Sequence, residues 1–206
     1  MQWREQAARE RPPRFAGEEY WARPLTGFGD PEARLLVVGL APAKDGGNRT
    51  GRIFTGDRSG DWLFASLHRT GWANQPTSTH RDDGLRVDEC YIAAAVRCAP
   101  PGNRPTTDER DTCLPYLERE LGLLDRVRVI VALGGFAWDA ALRVLLARGE
   151  SIPRPRPKFG HGVEVKIGPY TLLGSYHPSQ QNTFTGKLTE DMLDGIFDRA
   201  RRLTEP

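Results

Sequence analysis

Four short apolar runs alternate with helical patterns along this chain of 206 residues. The runs are rich in β-branched and aliphatic residues and end at glycine or polar residues, which predicts strands at 34–40, 90–98, 127–133 and 170–176. A further run at 163–167 is a candidate edge strand. Since strands that alternate with helices favour parallel pairing, we expect an α/β fold. This would be a three-layer α/β/α sandwich around a mostly parallel sheet of about four strands.

Two helices carry clear start signals. Thr106 and Glu109 have the spacing of a capping box, which predicts a helix that continues to Leu124. Thr189 is a candidate cap for the last helix. Further helices are predicted after Ser59 and at 136–146. Residues 1–33 are polar and contain prolines, which predicts an arm packed on the domain. The whole chain, 1–206, is expected to be one domain.

Composition narrows the class of protein. The formal net charge is +2, and every apolar run is shorter than the roughly 18 residues of a membrane span, so we expect no membrane contact. The opening residues have no apolar core of a signal peptide, which predicts a cytoplasmic protein. Three cysteines are an odd number and do not indicate a disulfide framework. We expect a monomer.

A loop with five glycines, residues 39–62, directly follows the first predicted strand. Such a loop lies at the edge where α/β proteins bind ligands. It lacks the glycine-lysine-serine/threonine end of a phosphate loop and the glycine pattern of a dinucleotide fold. A nucleotide hydrolase, and with it a nucleotide or magnesium cofactor, is therefore disfavoured. Phe54 and Asp57 in this loop are candidates for holding a planar ring. Alternatively, Phe54 is a core residue and Asp57 caps the next helix.

A second polar segment follows the last predicted strand. Pro178 ends that strand and places His177 at the rim of the sheet, whereas His68, His80 and His161 are expected to be structural. The residues after Pro178 carry amides and hydroxyls suited to contacts with a nucleic-acid backbone or with base edges.

These segments together resemble the family 5 (type b) uracil-DNA glycosylases. The resemblance is carried by residues 39–43, 46–52, 54–57, 59–60, 95–101, 103–106 and 177–183, and it covers nearly the whole chain. It implies the uracil-DNA glycosylase fold and a monofunctional hydrolase that everts uracil from DNA and cleaves its N-glycosidic bond, which initiates base-excision repair. Leu40 and Ala41 replace the polar residues of better-known uracil glycosylases, which implies that hypoxanthine, and also xanthine or ethenocytosine, are substrates.

The resemblance also implies residue roles. Phe54 would stack on the everted base, His177 would donate to its carbonyl oxygen, and Asp57 would position the attacking water. The implied catalytic residues are Asp57, His177 and Asn103. The implied substrate-binding residues are Gly39, Leu40, Ala41, Pro42, Asn48 and Phe54. The implied DNA-binding residues are Arg49, Pro178, Ser179, Gln180, Gln181, Asn182 and Thr183, of which the segment after His177 would wedge into the duplex.

Members of this family typically carry a four-iron, four-sulfur cluster, and Cys98 and Cys113 match two of its ligands. The family's N-terminal cysteine pair is absent, and Cys90 lies too far along the predicted strand to replace it. Either the natural start lies upstream of Met1, or this member has lost the cluster. Two buried free thiols are the alternative interpretation of Cys98 and Cys113. The alternative function is a non-catalytic binder of DNA lesions on the same fold.

Overall fold

Six strands form one sheet in a computed structural model that describes residues 2–205. They are β1 (Phe28–Gly29), β2 (Leu35–Gly39), β3 (Cys90–Ala94), β4 (Val129–Leu133), β5 (Glu164–Ile167) and β6 (Tyr170–Ser175). Their order across the sheet is β1-β3-β2-β4-β6-β5. The four inner strands are parallel, and β1 and β5 pair antiparallel at the edges. The predicted fold and its candidate edge strand are confirmed, whereas β1 was not predicted.

Seven α-helices lie within the same described residues. They are α1 (Gln2–Arg9), α2 (Gly47–Thr50), α3 (Arg58–Arg69), α4 (Thr107–Leu123), α5 (Gly135–Ala147), α6 (Gln180–Phe184) and α7 (Glu190–Thr204). Thr106 and Glu109 form the predicted capping box at α4, and the Thr189 hydroxyl accepts from the Met192 amide at α7. The short helices α2 and α6 were predicted as loop. No helix within residues 2–205 is long and apolar enough to cross a membrane.

Successive side chains of each strand point to opposite faces of the sheet, so the core is divided between the two faces. In β2, Leu35 and Val37 pack with the apolar faces of α3 and α7. Leu36 and Val38 point to the other face and pack with α4 and α5. All four side chains are buried, and burying each contributes roughly 2 kcal/mol to the free energy of unfolding. This three-layer packing fixes where each strand ends.

The chain leaves β2 and β4 in opposite directions across the sheet. After β2 the chain continues to β3 on one side, and after β4 it continues to β5 and β6, which both lie on the other side. The carboxyl ends of the neighbouring strands β2 and β4 therefore form a switch point, which is where open α/β sheets hold ligands. The glycine-rich loop begins there at Gly39, and the segment that carries His177 leaves the adjacent strand β6.

The N-terminal arm contacts the glycine-rich loop. In α1, Arg4 Nε donates to the Ala22 carbonyl at 2.9 Å, and the Arg4 carbonyl accepts from Asn48 Nδ2 at 3.2 Å. Lys44 Nζ donates to the Glu10 carbonyl at 3.2 Å. These bonds hold the outer side of the loop against the arm.

Candidate active site

A pocket of about 490 Å³ opens at the carboxyl edge of the sheet. Its walls come from the glycine-rich loop, from the turn at 102–104 and from the segment after β6. The lining residues are Leu40, Ala41, Ala43, Ile53, Phe54, Asp57, Arg58, Ser59, Gly102, Asn103, Arg104, His177, Ser179, Gln180 and Gln181. The volume is typical of a small-molecule site and accommodates a planar heterocycle.

Two aromatic rings from distant parts of the chain meet in this pocket. The ring centroids of Phe54 and His177 are 5.9 Å apart, and their planes make an angle of 31°. Phe54 is 8% exposed and also belongs to the core, so it is both a core residue and a pocket residue. Its φ of +51° is strained for a phenylalanine, and such strain persists where the surroundings hold it. Gly39 makes room for the ring, because an added Cβ would lie 2.6 Å from it.

His177 is held by its backbone, and its ring faces the pocket. Asn182 Nδ2 donates to the His177 carbonyl at 2.8 Å, and Pro178 is buried. Burial lowers the pKa of His177 to about 4, so the imidazole is neutral at physiological pH. A neutral imidazole carries one N–H donor, and it can direct this donor at a ligand.

Asp57 has two roles. It is the N-cap of α3, where its Oδ1 accepts from the Gly60 amide at 3.0 Å, and it lines the pocket. The cap interpretation of the sequence is therefore confirmed, and the functional interpretation stays a prediction. Burial raises the pKa of Asp57, although the amides of Gly60 and Ser59 oppose this shift. An added Cβ at Gly46 would overlap Asp57 Oδ2, so the loop backbone closes tightly around the carboxylate.

Asn103 also lines the pocket. It ends the 3₁₀ turn Pro101–Asn103 with a φ of +56°. Its Oδ1 accepts from the Lys44 amide at 3.1 Å, which ties this turn to the glycine-rich loop. The side-chain amide nitrogen of Asn103 is the group left to face a ligand.

Seven predicted binding residues do not line the pocket: Gly39, Pro42, Asn48, Arg49, Pro178, Asn182 and Thr183. Asn48 is 1% exposed and bonds to the arm. The Arg49 guanidinium donates to Glu18 Oε2 at 2.5 Å and to the Asp45 carbonyl at 2.8 Å, and it stacks over Phe15 at 4.2 Å. Asn48 and Arg49 brace the loop, and their geometry gives no support to a direct contact with base or DNA.

The segment after His177 is helical where a polar loop was predicted. Gln180 and Gln181 are exposed at the rim of the pocket, whereas Asn182 is committed to the His177 carbonyl. Thr183 is half-buried in α6. The predicted DNA contacts of this segment therefore rest on its exposed glutamines.

Sequence reasoning missed two further rim residues. Phe184, at the end of α6, is 67% exposed, and the Arg58 guanidinium lies 4.5 Å from its ring centroid. Arg58 itself lines the pocket. The sequence does contain a signal for Phe184, which is an aromatic residue inside a polar stretch and directly follows the recognised motif 177–183.

Cys98 and Cys113 are both half-buried rather than buried, and burial, with a smaller contribution from Cys98, raises the pKa of the Cys113 thiol. Cys98 Sγ accepts from Arg4 Nη1 at 3.0 Å. Cys90 is buried at the start of β3. The strand ends at Ala94 and not at residue 98 as predicted, so Cys98 lies beyond the carboxyl end of β3, and Cys90 lies at the opposite edge of the sheet. A cluster with four irons takes four ligands. Residues 2–205 contain no group of three or more side chains placed to bind a metal, so the described residues do not complete such a site.

Comparison with known proteins agrees with this geometry. The model of the uracil DNA glycosylase superfamily matches residues 26–201. A type-5 uracil-DNA glycosylase of Mycobacterium tuberculosis is 55% identical over 205 residues, which cover 98% of this chain and 75% of the relative. A type-5 uracil-DNA glycosylase of Thermus thermophilus is 50% identical over 202 residues, with 98% and 89% covered. A type-4 uracil-DNA glycosylase of Pyrobaculum aerophilum is 30% identical over 166 residues, with 78% and 74% covered. The chain therefore belongs to the uracil DNA glycosylase superfamily and, within it, to the type-5 uracil-DNA glycosylases.

Proposed function

We propose that this chain excises uracil from DNA by hydrolysing the N-glycosidic bond, the first step of base-excision repair. The observation that carries the proposal is the meeting of Phe54, His177 and Asp57 in one pocket, with the two ring centroids 5.9 Å apart. Membership of the type-5 family supports it. A base inside a duplex cannot reach this pocket, so the nucleotide must be everted first.

In the proposed mechanism, the everted base lies against the Phe54 ring and presents its carbonyl oxygen to His177. Negative charge develops on the departing base, and a donor fixed at that position stabilises the transition state more than the ground state. The pKa of about 4 for His177 makes it a neutral donor, so it acts through a hydrogen bond and not as a cation. Asn103 lines the same pocket, and in the proposed mechanism its amide contacts the same base.

Asp57 acts on the sugar side. As a carboxylate, it positions the attacking water and favours the cationic sugar that forms as the bond breaks. The bond to the Gly60 amide fixes its orientation. Attack by a lysine amine is disfavoured, since Lys44 Nζ bonds to the Glu10 carbonyl and Lys187 Nζ lies 4.8 Å from the Tyr176 ring centroid.

Single-turnover cleavage of a uracil duplex tests the proposal. Asp57→Asn keeps a good cap for α3, because asparagine is among the preferred N-cap residues. We expect it to lose at least about 100-fold in rate, the scale of a lost acid–base group, and to keep duplex affinity within about 3-fold. Wild-type protein that binds the duplex and releases no uracil would instead identify a non-catalytic lesion binder. Near-full turnover by Asp57→Asn would refute the role of Asp57.

We further propose that the pocket accepts other deaminated bases. The wall formed by Leu40, Ala41 and Ile53 is apolar, so it has few side-chain donors to reject a different heterocycle. Parallel cleavage of duplexes with uracil, hypoxanthine, xanthine or ethenocytosine tests this proposal. Strict selectivity for uracil would contradict it.

We propose that Phe184 is the part of the segment after His177 that enters the duplex. An exposed ring supported by Arg58 can fill the gap left by an everted nucleotide. Phe184→Ala should slow cleavage of double-stranded DNA about 10-fold or more and leave single-stranded DNA nearly unaffected, since base stacking contributes about 1–3 kcal/mol. Leu123→Ala, at a 72% exposed position on α4, is the control. Equal loss on both substrates would exclude a wedge.

The four-iron, four-sulfur cluster that the family resemblance implies is also a proposal, with Cys98 and Cys113 as two candidate ligands in this chain. Iron and sulfide analysis of purified protein, with a Cys98→Ser variant as control, tests it. The monomeric state and the cytoplasmic location also stay predictions. Sedimentation measures the first, and cell fractionation the second.

A further inference from the structure

The ion pair of Arg52 and Asp83 is buried and does not line the active-site pocket. The Arg52 side chain is 5% exposed, and the side chain of its partner Asp83 is 6% exposed. Arg52 Nη2 donates to both Asp83 oxygens, at 2.9 and 2.7 Å, and Nη1 donates to the Arg81 carbonyl at 3.0 Å. The pair joins the glycine-rich loop to residues 78–83, which we call the support loop.

Asp83 holds the support loop in turn. It accepts from the amides of Thr79 at 2.8 Å and Leu85 at 3.1 Å. Burial would raise the pKa of Asp83, but the bonds from Arg52, Leu85 and Thr79 outweigh burial and hold this pKa well below its usual range. The carboxylate therefore stays ionised at all pH values at which the protein works.

The same support loop also contacts the segment on both sides of Phe54. Arg52 Nε donates to Thr55 Oγ1 at 2.9 Å, and Thr55 Oγ1 bonds to Ser78 Oγ at 2.7 Å. The Gly56 amide donates to the Ser78 carbonyl at 2.8 Å. Phe54 therefore lies between anchors at Arg52 and at residues 55–56.

The anchored backbone is strained. A non-glycine residue at a φ of +51°, as at Phe54, costs about 1–3 kcal/mol and persists only where the surroundings hold it. Asp57 is the third residue after Phe54, so the backbone that sets the stacking ring also sets the carboxylate. A shift of about 1 Å at a reacting group can cost about 100-fold in rate.

We propose that Arg52, Ser78 and Asp83 are positioning residues. Through the support loop they fix the Phe54 ring and the Asp57 carboxylate in their reactive placement. This inference rests on the proposed function, since it concerns the same reaction. It extends the site to residues that touch neither the pocket nor the substrate.

A merely structural role would lower stability without changing the rate of folded protein. The chain offers a matched control: Asp194 on α7 accepts from Ser66 Oγ and Arg69 on α3, at 2.5 and 2.6 Å. This network also joins two segments distant in sequence, and none of its members lines the pocket. Asp194→Asn is therefore expected to lower the melting temperature and to leave the rate within about 2-fold of wild type, as for a folded protein with an intact site.

The test measures single-turnover uracil excision by Ser78→Ala, Asp83→Asn and Asp194→Asn, at a temperature where each variant is fully folded. Affinity is measured separately with a duplex whose uridine carries a 2′-fluoro group that blocks cleavage. We expect Ser78→Ala and Asp83→Asn to be about 10- to 100-fold slower, with affinity changed less than about 3-fold.

If Asp83→Asn does not fold, Ser78→Ala decides. Rates of Ser78→Ala within 2-fold of Asp194→Asn would overturn the inference, and so would a loss confined to affinity. Wild-type protein without excision activity would instead overturn the proposed function, so the two failures are distinct.

Discussion

Gly46→Ala removes no group from the pocket, yet we expect it to disable the reaction. Gly46 precedes α2, and its backbone passes beside the carboxylate of Asp57. An added Cβ would overlap Asp57 Oδ2 and lie 2.8 Å from Cγ and 2.9 Å from Cβ. Ordinary contacts of a Cβ begin at 3.4 Å, so the whole side chain has to move.

The size of the effect follows from that overlap. Relief of the overlap at Oδ2 takes a displacement of roughly 1 Å, on the scale that can cost about 100-fold in rate. A factor of 100 corresponds to about 2.7 kcal/mol of transition-state stabilisation. The displaced carboxylate also loses its 3.0 Å bond to the Gly60 amide or carries the first turn of α3 with it. The proposed contacts with the DNA lie at the rim, so duplex affinity should stay within about 3-fold.

Single-turnover excision from a uracil duplex, with affinity measured on an uncleavable duplex, checks this prediction. Gly195→Ala is the matched control, because Gly195 lies in α7 with nothing within 4 Å of an added Cβ. The control should gain up to about 1 kcal/mol of stability from the higher helix propensity of alanine and keep its rate. A Gly46→Ala protein that cleaves within 3-fold of wild type would refute the reasoning, since the reaction would then tolerate a displaced Asp57 carboxylate.

Four further outcomes are expected. The excision rate should fall as the pH drops through the pKa of Asp57, which burial raises. In the same pH profile, His177 should cause no change of rate near the ordinary histidine pKa of about 6.5, and a change there that His177→Gln abolishes would contradict this. The unfolded chain ionises Asp57 at its ordinary pKa of 3.8, and the folded protein ionises it at a higher pKa, so the stability of wild type falls as the pH rises from 3.8 to the folded pKa and is constant above it; Asp57→Asn lacks this loss and should gain stability relative to wild type over that range in urea titrations. Phe54→Leu keeps an apolar side chain but loses stacking, and single-turnover rates should fall about 10- to 100-fold. Borohydride trapping should give no covalent adduct with DNA, because no lysine lines the pocket within residues 2–205.

The central strands could be predicted because each is a short apolar run, although β3 ends at Ala94 and not at residue 98 as predicted. β2 and β4 are buried at every position, so their composition alone identifies them. β1 has only two residues, Phe28 and Gly29, and such a short strand leaves no pattern. The single-turn helices α2 and α6 were missed for the same reason, since four or five residues are too few to show a helical period.

The pocket residues could be predicted where the argument rested on strand ends. His177 follows β6, Phe54 lies in the loop after β2, and parallel strands place both at one edge. The placement of Arg49 could not be predicted in this way. Its guanidinium is taken up by Glu18 in the arm, 31 residues away, and no local pattern reveals such a partner. Phe184 was missed because its exposure depends on where α6 ends.

Each side chain of the proposed mechanism also has a contact of its own. Asp57 is held by the first turn of α3, His177 by the bond of its carbonyl to Asn182, and Phe54 by the space that Gly39 leaves. A site fixed in this way gains little by rearranging around a base, so the free energy of unpairing has to come from DNA contacts at the rim. Substitutions in the pocket should therefore change the rate of bond cleavage. Substitutions at the rim should instead change the fraction of nucleotide that is everted.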